Sequence, residues 1–117
     1  MNPNLFRFAA ALCFLGVGLG AFGAHALKET LQANDTIEVW KTAVLYHFVH
    51  ALALLLLAAL PATSRAASAL FIAGILLFSG SLYLLALTNI KWLGAITPLG
   101  GLCFLTGWMA LVLWPPR

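Results

Sequence analysis

The sequence predicts an all-α integral membrane protein, an antiparallel four-helix transmembrane bundle, and three observations predict it. Of 117 residues, 63% are hydrophobic and 8% are charged, whereas a soluble domain needs about 25% charged residues to cover its surface. The charges leave four uncharged runs, Phe8–Leu27, Thr42–Ser64, Ala66–Ile90 and Trp92–Pro116, of 20, 23, 25 and 25 residues. About 20 helical residues, rising ~1.5 Å each, cross a ~30 Å hydrocarbon core. None of the runs alternates as a barrel strand would, and in lipid only helices or closed barrels satisfy their backbone groups. The short connectors leave no room for a soluble domain. Residues 1–117 are therefore expected to form one transmembrane domain, with spans near 5–27, 40–60, 66–87 and 98–114 and an extramembrane hairpin tip near 28–39.

The first span is expected to begin near Asn4 or Leu5. Arg7, the apolar run behind it and Ala24-His25-Ala26 resemble a secretory leader with an A-x-A site, but the run is long for one, and a retained helix is expected. Lys28–Ala33 consists of good helix formers that would carry the helix beyond the bilayer to a stop at Asn34. Asp35-Thr36-Ile37-Glu38 then reads as a capping box opening the second helix. That places Lys28, Glu29, Glu38 and Lys41 together as solvated charge pairs, and counting back from the turn sets His25 opposite Val44. The second helix should run to Leu60, where Pro61 ends it, and the third should occupy Ala66–Leu87. Thr88–Ile96 is expected to be an interfacial turn carrying Lys91 and Trp92. Thr97-Pro98 would open the fourth helix with Thr at the N-cap and Pro at the first position, and Pro115-Pro116 would stop it. Trp40, Trp92 and Trp114 fall at expected interfaces, where amphipathic indoles are enriched.

Charge narrows the partners. The net charge is +3, but the basic residues are scattered singly instead of forming the patch a nucleic-acid binder needs, so lipid is the expected surrounding and nucleic acid is not a partner. Arg7, Arg65 and Arg117 lie on the side of the termini and Lys28, Lys41 and Lys91 on the other, a tie under the positive-inside rule. The orientation expected is both termini in the cytoplasm, in a bacterial cytoplasmic (inner) membrane. Cys13 and Cys103 lie in different spans at different depths without a CxxC motif, and read as packing residues. No Asp or Glu lies inside a span, which argues against a small four-span proton-coupled antiporter. There is no Walker motif or nucleophile elbow, and no catalytic residue, metal site or cofactor is expected.

Three sets of residues are singled out. Gly16, Gly20, Gly23 and Ala24 on the first helix, with Gly100 and Gly107 on the fourth, are small-residue positions through which helices approach closely in lipid. Tyr46, His47 and His50 share one broad helical face at i, i+1 and i+4. With His25, and with Ser79, Ser81 and Tyr83 as partners on the third helix, they form a candidate polar cluster, the kind of intramembrane group that serves proton relays or ligand sites. Neutral imidazole hydrogen-bonded between helices explains the same residues as packing. A third set, Lys91, Thr97 and Gly100, would suit an anionic headgroup at a helix N-terminus, and ordinary capping also accounts for it.

Gly20-Ala21-Phe22-Gly23-Ala24-His25-Ala26-Leu27, Trp40-Lys41-Thr42-Ala43, Tyr46-His47…His50-Ala51-Leu52-Ala53, Leu77-Phe78-Ser79-Gly80-Ser81-Leu82-Tyr83 and Leu93-Gly94-Ala95-Ile96-Thr97-Pro98-Leu99-Gly100-Gly101 occur in this order. They resemble the small bacterial membrane family catalogued as domain of unknown function 423, whose animal relatives are called transmembrane protein 256. The resemblance implies a four-span membrane protein and no known activity, and it places the candidate histidines, serines and tyrosines inside the family's motifs. Two functions follow as expectations. One is a non-enzymatic protein that acts by helix packing, as a homo-oligomer or an accessory subunit of a membrane complex. The alternative is a small transporter or proton-conducting protein that uses the His/Tyr cluster.

Overall fold

A computed structural model describes residues 1–117 and contains no strand. Four helical stretches, Pro3–Ala24, Ile37–Ala59, Arg65–Thr88 and Lys91–Leu113, are each long and apolar enough to cross a membrane. We label the regular helices α1 (Pro3–Ala24), α2 (Lys28–Asn34), α3 (Ile37–Ala59), α4 (Arg65–Gly74), α5 (Gly80–Thr88) and α6 (Thr97–Leu113). A π-helical turn, Ile75–Ser79, joins α4 to α5, and a 3₁₀ turn, Lys91–Ala95, leads into α6.

Local chemistry sets several of the ends. Asn2 caps α1 by accepting from the Leu5 N–H at 3.1 Å, with Pro3 at the first position, and Ser64 caps α4 by accepting from the Ala67 N–H at 3.2 Å. The Asn2 N–H also donates to the Ala58 carbonyl at 2.8 Å, tying the start of α1 to the end of the antiparallel α3. α3 is central: it packs on α1 along one side and on the α4–α5 span along the other. α6 packs on that third span, and α1 and α6 flank the bundle without extensive mutual contact. Accordingly α1 buries only Ala9 and Gly16.

Two apolar clusters hold the helices. The larger, toward the termini, joins Ala9, Ala51, Leu54, Leu57, Ala67, Phe71, Ile75 and Phe104. The smaller, at the hairpin end, joins Leu31, Trp40 and Ala86. Large side chains such as Phe14, Leu56, Leu76, Leu105 and Val112 face outward along all four spans. Such a surface suits hydrocarbon, not water.

The structure corrects the expected first hairpin. α1 ends at Ala24, and His25–Leu27 form a turn before α2 begins. The reason is tertiary: turning α2 inward seats Leu31, 1% exposed, against Trp40 and Ala86. The capping box does not form. Asp35 adopts the left-handed conformation (φ 54°) that terminates α2, and Thr36 makes no cap hydrogen bond to α3. Its hydroxyl donates instead to the Ala86 carbonyl at 2.8 Å, beside Asn34 Nδ2, which donates to the carbonyls of Ala86 (3.0 Å) and Leu87 (3.2 Å). Of the four charged residues expected to meet, only Lys41 and Glu38 pair, at 3.6 Å and exposed. Trp40 faces the bundle interior: it is 3% exposed and donates to the Leu19 carbonyl at 2.9 Å. Thr97 is the first residue of α6 and not its cap, because its hydroxyl is engaged elsewhere.

Candidate functional site

The central helix α3 supplies the principal polar groups inside the bundle, His47 and His50, between the two apolar clusters. His47 is 3% exposed and bridges three helices. Its Nε2 is 2.8 Å from the Leu12 carbonyl of α1 and its Nδ1 is 2.8 Å from the Tyr83 hydroxyl of α5. A carbonyl only accepts, so Nε2 carries the proton and Nδ1 accepts from Tyr83. His50 is 4% exposed and has the opposite tautomer. Nδ1–H donates to the Tyr46 carbonyl at 2.7 Å, and Nε2 accepts from the Trp108 indole N–H of α6 at 2.9 Å. An indole nitrogen only donates, which fixes this assignment too. The His50 ring is stacked on Phe104 at 3.6 Å and 10° and meets the edge of Phe71 at 5.3 Å.

The third span contributes the remaining polar ties. At the π turn, the Gly80 N–H bonds to Ile75, five residues back. Ser79, fully buried, donates to the Ala43 carbonyl of α3 at 2.8 Å. Ser81 bonds to the Phe78 carbonyl at 2.9 Å and to the Thr97 hydroxyl of α6 at 2.7 Å. The two serines thus hold the third span to its neighbours on opposite sides.

The predicted polar residues do not form one cluster. His25 lies exposed at the α1–α2 turn, and it is Gly20, not His25, that faces Val44, with 3.5 Å between an ideal Cβ and Val44 Cγ1. The inward turn of α2 removes the extra helical turn on which the expected register relied. Tyr46 is 41% exposed, packs on Phe78 and Phe104, and its hydroxyl makes no hydrogen bond within the chain. No hydrogen bond joins His47 to His50, and no three potential metal ligands converge. Sequence reasoning missed Trp108 and the Leu12 carbonyl. Trp108 carried a usable signal, since an indole N–H inside a span needs an acceptor. A backbone carbonyl carries none.

Of the headgroup candidates, Lys91 is exposed, Thr97 is committed to Ser81, and Gly100 is pressed on the backbone of Phe78, so the three do not surround an open site. The small-residue positions divide similarly. Gly16 packs under Phe48, Gly23 under Trp40, Gly100 on Phe78 and Gly107 under Phe71. Gly20 touches Val44 lightly, and Ala24 is exposed.

Residues 19–101, which include every residue of the interhelical hydrogen bonds described above except Asn2, Leu12 and Trp108, match the family described as a protein of unknown function, DUF423. The chain belongs to this family. It is 45% identical over 115 residues to a UPF0382 membrane protein of Staphylococcus haemolyticus, an alignment covering 94% of this chain and 93% of that one. It is 48% identical over 104 residues to the UPF0382 membrane protein YwdK of Bacillus subtilis, covering 84% of each. No solved structure matches the chain. With four apolar spanning helices and relatives named as membrane proteins, this DUF423 chain is a membrane protein of a family whose function is unknown.

Proposed function

We propose that this protein is non-enzymatic and acts by helix packing in the bacterial cytoplasmic membrane, as a homo-oligomer or as an accessory subunit of a membrane complex. It does so as a single transmembrane domain over residues 1–117, with both termini in the cytoplasm. The observation that carries this reading is the complete use of the buried imidazoles: all four ring nitrogens of His47 and His50 are hydrogen-bonded to neighbouring groups of the bundle. No lone pair remains for a metal or substrate. The sites named from sequence, His25, Tyr46, His47, His50, Ser79, Ser81 and Tyr83, then divide into helix ties and exposed residues. Transport through them loses its support, because His25 is exposed at the α1–α2 turn and Tyr46 joins the bonded groups only through its backbone carbonyl, its hydroxyl bonding to none of them.

Cross-linking in native membranes followed by purification tests the reading. A discrete species containing a second copy or a defined partner is expected, and a strictly monomeric, partner-free protein overturns it. In proteoliposomes, His47→Ala is expected to leave ion flux at the level of empty vesicles, as in the unmutated protein. Flux that depends on His47 would establish the transport reading instead.

A further inference from the structure

A concavity lies where α1 ends and α2 begins. It measures about 520 Å³ and runs along the α1–α3 seam, a size within the roughly 300–1,000 Å³ of small-molecule sites. Its origin is in the sequence. Gly20, Gly23 and Ala24 remove side-chain bulk from α1, and the break at His25–Leu27 lets Lys28 and Leu31 of α2 close its hairpin end. The floor is Trp40, fixed by its bond to the Leu19 carbonyl, and the deep end is Val44 and Phe48. From Ile37 to Phe48 the groove follows α3 for about 16 Å at ~1.5 Å per residue.

The polarity of the groove is one-sided. Its deep part is apolar, and its charged lining consists of Lys28 and Lys41, both at the hairpin end where the chain leaves the bilayer. Glu38 pairs with Lys41 at 3.6 Å, but both are solvent-exposed, so the pairing is weak; Lys28 has no carboxylate within salt-bridge distance. Leu45 and Ala24, on the rim, are exposed, so the groove opens sideways to lipid. Apolar walls at membrane depth ending in two ammonium groups at the interface match a molecule with an acyl chain and an anionic head. A neutral helix would gain nothing from the lysines, and a zwitterionic lipid, whose own cation offsets its phosphate, would gain less than an anionic one.

We infer that the α1–α3 groove holds one anionic phospholipid, its acyl chain over Trp40 and Phe48 and its phosphate between Lys28 and Lys41. This depends on the membrane placement alone and not on self-association. Native mass spectrometry of the full chain in detergent, with phosphatidylglycerol or phosphatidylcholine of identical chains added, provides the test. Juxtamembrane lysines contribute about fivefold each toward anionic lipid, so wild type is expected to retain one phosphatidylglycerol at least fivefold more than phosphatidylcholine. Lys28→Gln/Lys41→Gln should erase that preference, and Lys91→Gln, at the same end but outside the groove, should leave it intact. Ala24→Phe fills the groove without removing charge and should reduce retention of both lipids. All four positions are exposed, and a circular-dichroism spectrum like that of wild type verifies folding. Equal retention of the two lipids by wild type, an equal loss in Lys91→Gln, or full retention in Ala24→Phe overturns the assignment.

Discussion

A histidine is tolerated at membrane depth when it is neutral and both ring nitrogens have partners, since an unpaired polar group in hydrocarbon has no water to turn to. His50 meets that condition through Trp108, so the two should be energetically coupled. In transmembrane bundles such couplings average about 0.6 kcal/mol and reach about 1.7 kcal/mol. A double-mutant cycle of His50→Phe and Trp108→Phe, read by unfolding in mixed micelles, is expected to give a coupling in that range. A value of zero would mean that the bond is absent in the membrane. Gly100 supplies the steric counterpart. An ideal Cβ there would lie 2.7 Å from Phe78 Cα and closer still to its amide nitrogen, and backbone cannot rotate aside. Gly100→Ala should cost about 1–3 kcal/mol by overpacking. Gly18→Ala, with nothing within 4 Å of its Cβ, should be neutral or slightly stabilising, because alanine is the better helix former. The same unfolding assay separates the two, and equal effects would refute the close α6 contact.

Among the elements, the connector between α2 and α3 has the largest structural consequence for its size. α5 ends at Thr88, so the carbonyls of its last turn lack intrahelical donors. Asn34 and Thr36 supply donors from about fifty residues away in sequence, and Ala86 accepts from both. Thr36→Val alone should therefore be mild, while Asn34→Ala/Thr36→Val should cost about 1–3 kcal/mol, more than the sum of the singles, because only the double variant orphans the Ala86 carbonyl. Amide exchange at the α5 C-terminus reads it directly, and additive effects would contradict a shared acceptor. The same connector marks where sequence reasoning reached its end. Uncharged runs and the stops at Asn34, Pro61 and Pro115 were legible because each acts locally. The α1 break, the idle capping box and the π turn were not, since each answers a partner far along the chain: Leu31 to Ala86, Thr36 to Ala86, Ser79 to Ala43. Register was equally hidden. Spans that are apolar all round have no amphipathic stripe to orient them, so nothing in the pattern separated the inward His47 from the outward Tyr46 or pointed Trp108 at His50.

For the molecule as a whole, orientation in the bilayer depends on a very small margin. Arg7, Arg65 and Arg117 lie at the end of the bundle where the termini emerge, and Lys28, Lys41 and Lys91 at the opposite end, so the basic residues that orient short loops are equal in number. The three acids share the lysine end but weigh little in this balance. With the connectors all short, no long translocated segment overrides the count, and a change of one or two charges should decide the topology. Two lysines added after Trp114 are expected to lock both termini in the cytoplasm, and two added at the exposed positions Gln32 and Ala33 should drive the termini outward. Paired C-terminal fusions, one reporter fluorescent only in the cytoplasm and the other active only outside it, measure the outcome. The first variant should raise the cytoplasmic signal above that of the unmutated chain, and the second should invert it. If neither variant moves the ratio, charge balance does not set the orientation, and a partner or the fold of the α1–α3 hairpin during insertion must do so.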